Sequence, residues 1–343
     1  MKKSKWFGTP LKLELGYSSP DSNLLKSIYD FHILWMFEPD TIAVNTSGST
    51  GTPKKIELTK TAMAQSARKT IDFFGLNHTD NFLLCLPVDF IAGKMMVVRA
   101  MLCNANLVAV EPVANPLVVF LDNPLKIHFA AFTPLQVSAI LANEQTRNLF
   151  TQINKVIIGG GEIPPGLEKK LVSLPNKIYA TYGMTETITH IAVRKTGNPV
   201  YKVFKDVQIG LDSRQCLAIQ ADYLGPEKII TNDMVELQGP HEFRFLGRYD
   251  NVINSGGIKL HPERIEKKLE GIFDRNFYIY HKPDEVLGQK VVLVIEGEPF
   301  DATTLGLLKN TLKDLLDKYE VPKDILFMSV FERTVSGKTI RKA

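Results

Sequence analysis

Short apolar runs alternate with amphipathic stretches through the first half of the chain. A short apolar run between turn residues is typical of a buried strand, whereas apolar positions that recur every three to four residues indicate a helix. The apolar runs predict strands at 82–86, 107–110, 117–120, 129–132 and 155–158. The helical patterns lie near 21–33, 59–74, 92–103 and 137–149. This alternation predicts an α/β fold of layered sheets and helices.

The ends of two predicted helices carry capping residues. Asp21 or Ser22 precedes the first helix, and both side chains are common N-caps. Thr59 has the same role before the helix at 59–74, and Gly75 fits its end because glycine adopts the left-handed conformation without strain.

The pattern changes after Asp250, where strands and helices mix in a shorter unit. Its predicted elements are helices at about 262–272 and 302–319 and strands at about 276–281, 290–296 and 325–330. This is an α+β arrangement of credible domain size. With the chain length, it predicts two domains, 1–249 and 250–343.

The composition limits the class of protein. The 343 residues are 44% hydrophobic and 23% charged, with a net charge of +4, as in ordinary globular proteins. The mild positive charge suits small anionic substrates. The sequence has no long basic stripe, so there is no reason to expect nucleic-acid binding. Three cysteines without metal-like spacing favour a reducing cytosol. Neither a signal peptide nor a continuous apolar span is evident, so we expect a cytoplasmic protein without a membrane span.

The segment 46–54 reads Thr-Ser-Gly-Ser-Thr-Gly-Thr-Pro-Lys and carries the strongest chemical signal. Its glycines let backbone N–H groups approach an anion, its hydroxyls donate hydrogen bonds, and Lys54 adds a positive charge. Such a loop suits a polyphosphate, although it lacks the ending of a Walker loop. Alone, it is equally typical of a flexible turn between two strands.

Further motifs follow that loop in a fixed order. They are Thr-Tyr-Gly-Met-Thr-Glu at 181–186, Thr-Asn-Asp at 231–233, Gly-Arg-Tyr-Asp at 247–250, Ser-Gly-Gly at 255–257 and Ser-Gly-Lys at 336–338. From about residue 46 to the C-terminus, the ordered set resembles the adenylate-forming superfamily of acyl-CoA synthetases, luciferases and adenylation domains. Two positions depart from the usual pattern: Lys55 replaces a glycine, and Glu332 replaces a common proline.

The resemblance implies an enzyme that uses ATP and Mg²⁺ to activate a carboxylate, with CoA as co-substrate. It implies a large N-terminal α/β domain that binds ATP and the acid, and a small mobile C-terminal α+β domain that carries a catalytic lysine. The phosphate-binding residues would be Thr46, Ser47, Gly48, Ser49, Thr50, Gly51 and Lys54.

The adenine site is implied at the end of the strand at 155–158. Gly160, Gly161 and Glu162 would bring the backbone close to the adenine ring. The same glycines, followed by Pro164 and Pro165, are also typical of a simple strand-to-helix turn.

The motif at 181–186 would serve the α-phosphate and the metal. Thr181, Tyr182 and Gly183 line the nucleotide, Thr185 hydrogen-bonds the α-phosphate, and Glu186 binds Mg²⁺. Taken alone, Glu186 would be a helix N-terminal acid, and Tyr182 a core aromatic residue.

Four residues of the second half have implied roles in the reaction. Asp233 would accept the ribose hydroxyls, and Arg248 would approach the ribose or a phosphate. Asp250 would act as the hinge, and Lys338 as the catalytic lysine that stabilises developing charge. In isolation Asp233 would be a turn aspartate, Arg248 a member of a surface ion pair, and Lys338 a solvated residue of the C-terminal tail.

The acyl pocket is the least defined part of the site. Candidate residues are Phe90, Lys94, Arg99, Thr133 and His190, with His190 ranked first because it closely follows the motif at 181–186. More often, a histidine in such a segment is a satisfied structural residue.

The favoured function is an acid–CoA ligase. Within the superfamily, the nearest resemblance is to the o-succinylbenzoate–CoA ligases of menaquinone biosynthesis. The short chain, the segment 132–136 and the Met184-centred motif followed by His190 support it. Alternatives are another aryl or acyl acid, or an adenylating enzyme that loads a separate carrier protein. A non-catalytic nucleotide-binding protein conflicts with the joint presence of Glu186, Asp233 and Lys338.

Overall fold

The computed structural model describes residues 11–14, 22–37, 40–45, 55–272, 274–333 and 339–342. Backbone proximity divides the chain into two compact units, Met1–Gln208 with Gln220–Ile229, and Ile209–Ile219 with Ile230–Ala343. Strands that precede Asp250 therefore group with the C-terminal part. The proposed boundary at 250 concerns which parts move during the reaction, and it stays a prediction.

A mixed sheet forms the centre of the first unit. The strands of this unit are β1 (Lys12–Glu14), β2 (Thr41–Asn45), β3 (Lys55–Thr59), β4 (Asn81–Leu84), β5 (Asn106–Ala109), β6 (Phe129–Phe132), β7 (Lys155–Ile158), β8 (Lys177–Gly183), β9 (His190–Lys195) and β10 (Val200–Val203). Within this unit the sheet order is β1-β5-β4-β6-β7-β8-β9-β10. The pairs from β1 to β8 are parallel, whereas β9 is antiparallel to β8 and β10 to β9. Strands β2 and β3 form a separate antiparallel pair.

Helices cover this sheet, and four of the six begin at a residue whose side chain caps the first turn. They are α1 (Asn23–Phe37), α2 (Lys60–Phe74), α3 (Ile91–Cys103), α4 (Pro134–Ala142), α5 (Glu144–Thr151) and α6 (Pro165–Val172). The hydroxyl of Thr59 accepts from the Ala62 N–H at 3.1 Å, and Gly75 ends α2 with φ of 55°. Ser22 caps α1 by accepting from the Leu25 N–H at 3.1 Å. The predicted helix at 59–74 and the α/β class are confirmed.

Two predicted elements differ from the structure. The expected strand at 117–120 is wrong: Val118–Phe120 is a 3₁₀ helix. Leu117 and Phe120 are buried while Val118 and Val119 are exposed, a spacing of three that suits a 3₁₀ turn and not an alternating strand. The expected helix at 137–149 is two helices, because the Asn143 side chain accepts from the Thr146 N–H and starts α5 anew.

The core of the first unit is continuous across the sheet. Strands β4 to β7 are almost fully buried, as expected for parallel strands covered on both faces, whereas β8 is only partly buried. The cluster joins residues of α4, α5 and α6 to these strands. Such burial holds the carboxyl ends of the strands in fixed positions.

The second unit contains two sheets and two α-helices among the residues described. Its elements are β11 (Gln208–Leu211), β12 (Cys216–Gln220), β13 (Ile229–Gly239), β14 (Glu242–Arg248), β15 (Ile253–Ser255), β16 (Ile258–Leu260), α7 (Pro262–Lys268), β17 (Phe277–Asp284), β18 (Gly288–Glu296), α8 (Ala302–Leu315) and β19 (Asp324–Met328). One sheet runs β14-β13-β12-β11, and the other runs β16-β15-β18-β17 with β19 parallel to β18. Leu308 and Leu312 of α8 pack on this second sheet.

The structure also bears on two expectations from composition. Across the described ranges, the helices are too short or too polar to cross a lipid bilayer. All three cysteines are free thiols, with Cys85 and Cys216 buried and Cys103 half-buried.

Candidate active site

The carboxyl ends of β6, β7 and β8 lie side by side at one edge of the first unit's sheet. Their register places Thr133, Gly159 and Thr181 at the same level, one residue beyond the last pairs that join the three strands. In α/β sheets, ligands bind outside the carboxyl ends of the strands. The residues predicted for adenine, the α-phosphate and the metal therefore follow neighbouring strand ends.

The chain leaves β7 through a tight turn that requires glycine. A Cβ atom at Gly159 would lie 2.5 Å from Oγ1 of Thr181, which itself donates to the Ile158 carbonyl at 3.1 Å. Gly160 has φ of 81°, a conformation that L side chains rarely adopt. The turn explains Gly159 and Gly160 structurally, and Gly160 is exposed, so both sequence interpretations fit this geometry.

A strained corner follows the motif at 181–186. Ile188 has φ of 69° and ψ of −61°, which is unfavourable for a β-branched residue. The Thr189 N–H donates to the Thr187 carbonyl at 2.8 Å, and the Thr187 hydroxyl lies 2.8 Å from the Thr189 carbonyl. Backbone strain of this kind costs about 1–3 kcal/mol and persists where the surroundings enforce it. The corner fixes the path of the chain from the motif into β9.

Within the motif, the side chains differ in exposure. Tyr182 and Thr185 are half-buried and Glu186 is exposed. The Tyr182 ring lies 5.9 Å from that of Tyr201, edge to face. No group of three His, Cys, Asp or Glu side chains that could hold a metal occurs among the described residues. An exposed carboxylate at a strand edge nevertheless suits Mg²⁺, which takes one or two protein carboxylates and fills its other positions with phosphate and water oxygens.

His190 lies at the start of β9 in a buried chain of hydrogen bonds. Its Nδ1 is 3.2 Å from Oγ1 of Thr189, and its Nε2 is 3.3 Å from Oγ1 of Thr70. Arg99 on α3 donates from Nη2 to the same Thr189 oxygen at 3.2 Å. Burial, and then the nearby Arg99 charge, hold the pKa of His190 well below its usual value. The imidazole is therefore neutral at neutral pH.

Lys94 and Phe90 lie in the segment that opens α3. The Lys94 ammonium donates to the carbonyls of Val88 at 2.5 Å and Asp89 at 3.2 Å. Burial lowers the pKa of Lys94, and Asp89 opposes that shift. Phe90 is half-buried at the N-cap position. The Lys94 charge thus stabilises the loop that precedes its own helix.

A separate charged network lies in the second unit. Arg248 Nη1 is 3.6 Å from Asp233 Oδ1, and its Nη2 is 3.0 Å from Asp250 Oδ2. The Asn232 amide lies 3.1 Å from each Asp250 oxygen, and Arg214 donates to the Asn232 carbonyl oxygen at 2.8 Å. Pairing of β13 with β14 places Asp233 directly opposite Arg248. Three residues predicted from two motifs are thus brought together.

Some predicted site residues lie outside the described residues. They are Thr46, Ser47, Gly48, Ser49, Thr50, Gly51, Lys54 and Lys338. Their flanks are described: β2 and β3 pair as an antiparallel hairpin on either side of 46–54, and Arg333 forms a β-bridge with Thr339 around 334–338. Their assigned roles stay predictions.

Sequence reasoning missed several polar residues that hold the site together. The Gln136 side chain accepts from the Thr133 N–H at 3.0 Å and donates to the Cys85 carbonyl at 2.9 Å, joining the ends of β6 and β4. Thr187 holds the strained corner, and Arg214 holds Asn232. Only Gln136 had a local signal, because Thr133 and Gln136 have the spacing of a capping box.

Comparison with known proteins identifies the family. The model of the AMP-binding enzyme family matches residues 37–211. A solved acyl-CoA synthetase (AMP-forming)/AMP-acid ligase II-like protein from Dyadobacter fermentans is 33% identical, with 94% of this chain and 93% of that chain covered and a TM-score of 0.64.

Two further relatives carry a more specific name. A 2-succinylbenzoate–CoA ligase from Lactococcus lactis is 24% identical over 98% of this chain and 74% of its own length. The o-succinylbenzoate coenzyme A synthetase of Bacillus subtilis, solved with ATP and a magnesium ion, has a TM-score of 0.72 at 19% identity over 87% of this chain and 68% of that one. At that identity the likeness shows a shared fold. From the family match and the Dyadobacter relative, the chain belongs to the AMP-binding enzymes of the adenylate-forming superfamily, as its motifs predicted.

Proposed function

We propose that this protein is an ATP-dependent acid–CoA ligase that acts through an acyl-adenylate. In the first half-reaction, a carboxylate oxygen attacks the α-phosphorus of ATP, and pyrophosphate leaves with the electrons of the broken P–O bond. In the second, the CoA thiolate attacks the acyl carbon and AMP leaves. The observation that carries the proposal is the meeting of the glycine turn at 159–161 and the motif at 181–186 at one strand edge of this family's fold.

The first unit supplies the groups for ATP. The Thr185 hydroxyl would donate to the α-phosphate, and the backbone at Gly160 and Gly161 with Glu162 would approach the adenine ring. Glu186 would hold Mg²⁺, which when bound offsets the charge of the phosphates. The loop at 46–54 would bind the β- and γ-phosphates. These groups would offset the repulsion between the attacking carboxylate and the α-phosphate, which is the main obstacle in this step.

The second half of the chain would supply the remaining catalytic residues. Its C-terminal part would move between the two half-reactions. Asp233 would accept the ribose hydroxyls with Arg248 beside it, and Lys338 would stabilise the charge that develops during adenylation. Asp250 would be the hinge about which residues 250–343 move relative to residues 1–249. Free thiols on all three cysteines suit a cytoplasmic site of action.

The specific acid proposed is 2-succinylbenzoate. Support comes from the names of relatives such as the Lactococcus lactis ligase, which aligns with nearly the whole chain. Another aryl or acyl acid is the principal alternative, since 24% identity leaves the pocket free to differ. Transfer of the acyl group to a separate carrier protein is the second alternative.

A panel of carboxylates, assayed for AMP and pyrophosphate with and without CoA, tests the proposal. We expect 2-succinylbenzoate to give the highest kcat/KM, with multiple turnovers only when CoA is present. Higher activity with benzoates or fatty acids would refute the substrate but leave the mechanism standing. A single adenylate per enzyme that CoA does not discharge would favour the carrier-protein alternative. No pyrophosphate from any acid would contradict the ligase itself.

A further inference from the structure

Arg99 is a buried cation without an anionic partner among the described residues. Its side chain on α3 is among the largest that are fully buried, at 2% exposure. Its Nη2 donates to the Thr189 hydroxyl, and its Nε has no hydrogen-bond partner within the part of the chain that the structure describes. Burial lowers the pKa of Arg99 to about 9, and no acidic side chain opposes that shift. The guanidinium is therefore charged at neutral pH and incompletely satisfied.

A buried charged guanidinium with an unsatisfied N–H destabilises the fold unless a ligand or another group pairs with it. Moving an ion out of water carries a large desolvation penalty, which native proteins offset with an opposite charge and full hydrogen bonding. A hydrophobic residue would fill the same space on α3, where the neighbouring Val98 and Ala100 are buried and apolar. A guanidinium retained there with a vacant N–H indicates that an anion binds to it.

The other two basic residues considered for the acyl pocket, His190 and Lys94, already have hydrogen-bond partners. In the order that gives the two hydroxyls and the imidazole N–H an acceptor each, Arg99 donates to Thr189, Thr189 donates to His190 Nδ1, and His190 Nε2–H donates to Thr70. The Thr70 hydroxyl lies 3.4 Å from the Ser66 carbonyl, which ends the chain. His190 is thus neutral with both nitrogens bonded, and Lys94 is held by two loop carbonyls.

Arg99 lies close to the motif at 181–186, which is proposed to act in activation of the acid. Its hydrogen-bond partner Thr189 lies three residues after Glu186, on the far side of the strained corner at Ile188. α3 itself follows β4, whose carboxyl end lies at the same sheet edge as those of β6 and β7. An anion on Arg99 would therefore be held beside the motif at 181–186.

We propose that Arg99 binds a second carboxylate of the acid substrate, the one that is not adenylated, and so selects dicarboxylates with an anion remote from the reacting end. This inference rests on the proposed function. For 2-succinylbenzoate, the succinyl carboxylate is activated and the ring carboxylate pairs with the guanidinium. Thr189 positions Arg99, and His190 acts through Thr189.

The test compares two acids on the full-length enzyme. 2-Succinylbenzoate has both carboxylates, whereas 4-oxo-4-phenylbutanoate has the same ketone and chain carboxylate without the ring carboxylate. We expect the wild type to favour the diacid by about tenfold to about a hundredfold in kcat/KM, the range of one charge-assisted hydrogen bond. Arg99→Met should bring the ratio close to one by lowering the diacid value alone. Arg99→Lys should give an intermediate ratio.

Two controls distinguish failure of the proposed role of Arg99 from failure of the proposed ligase function. Arg147→Met makes the same change at an exposed arginine of the first unit and should leave the ratio unchanged. A wild-type preference that survives in Arg99→Met would overturn the role of Arg99 and leave the ligase standing. A wild type that accepts both acids equally would refute the dicarboxylate substrate itself.

A measurement on the wild type covers the case in which Arg99→Met fails to fold. A ligand that binds only the native state raises the melting temperature, and at equal concentration the tighter ligand raises it more. At equal concentration, 2-succinylbenzoate should raise it more than 4-oxo-4-phenylbutanoate does, because only the diacid satisfies the buried guanidinium. Equal shifts would contradict the inference.

Discussion

The two polar networks of this protein differ in burial and in charge balance. Around His190, the side chains are buried: Arg99 is 2% and His190 5% exposed, and no carboxylate of the described residues pairs with the cation. Around Asp250, the network is open: the side chains of Arg248 and Asp250 are 40% and 47% exposed, and Asp233 lies on the other side of the guanidinium. Among the described residues, the buried network around His190 contains no carboxylate, whereas the exposed network around Asp250 contains two.

The difference indicates what each network can do. Losing a partner in a buried hydrogen-bonded set leaves an unsatisfied group at a cost of about 1–3 kcal/mol, so the His190 network is suited to hold one geometry. Exposed ion pairs contribute only about 0.2–1 kcal/mol and are screened by salt. The Asp250 network can therefore break and re-form, as a hinge must. The first favours recognition, and the second favours movement.

The largest expected effect is that of Lys338→Ala, which should slow one half-reaction and not the other. Lys338→Ala should slow adenylation by about 10²–10³, the usual loss for one preorganised charge donor. Thioester formation from supplied acyl-adenylate and CoA should be nearly normal, because the role proposed for the lysine is confined to adenylation. Single-turnover rates of the two half-reactions check this, with Lys342→Ala as an exposed control near the same terminus. Equal loss in both steps would show that the lysine serves a structural purpose.

Asp250→Pro tests the movable network directly. Proline fixes φ near −65°, so the backbone at 250 can no longer change between two arrangements. We expect one half-reaction to fall by about a hundredfold, the scale of a small misplacement of reacting groups, while the other is nearly unchanged. Asp250→Ala, which removes the carboxylate but keeps the backbone free, should have a smaller effect. If both rates stay at the wild-type level in the proline variant, the hinge lies elsewhere.

Local signals in the sequence predicted much of the fold. The boundaries of α2 follow from Thr59 and Gly75, and the strand at 129–132 follows from four consecutive apolar residues between polar ones. The motif order predicted the family. The strand at 117–120 failed because a run of β-branched residues does not reveal which of them face the core, and here Val118 and Val119 face solvent.

The contacts that define the buried network could not be predicted in the same way. Arg99 and Thr189 are 90 positions apart, and Thr70 and His190 are 120 apart. Their meeting depends on how α2, α3 and β9 pack, and no local pattern specifies that. The strained conformation at Ile188 was equally hidden, since a β-branched residue is a poor choice for positive φ. Motif proximity alone therefore ranked His190 above Arg99.

Because His190 in the buried network stays neutral, the free energy of unfolding should depend on pH. His190 is neutral in the fold and its pKa is lowered by burial and by Arg99, whereas the unfolded histidine titrates near its ordinary value of 6.5. Below pH 6.5 the unfolded state binds a proton that the native state does not, so stability falls as pH falls, by at most about 1.4 kcal/mol per pH unit from this residue. His190→Gln should make the free energy of unfolding less dependent on pH between 6.5 and 5. His78→Gln, at an exposed site, should retain the wild-type slope.

The smallest expected effect is at Asn232, which joins Asp250 to Arg214. Its amide contacts both Asp250 oxygens at 3.1 Å, and its carbonyl oxygen accepts from Arg214 at 2.8 Å. Asn232→Ala removes both links but leaves the Arg248 pair in place. Because the network is open to water, we expect the free energy of unfolding to fall by less than about 1 kcal/mol. The ratio of the two half-reaction rates should nevertheless change by about threefold to fivefold, since 1 kcal/mol between two arrangements shifts their populations by about that factor. Urea unfolding and single-turnover assays of the same preparation measure both quantities. A stability loss above about 2 kcal/mol with an unchanged rate ratio would mean that the network around Asp250 is a fixed structural contact, and the contrast with the His190 network would no longer hold.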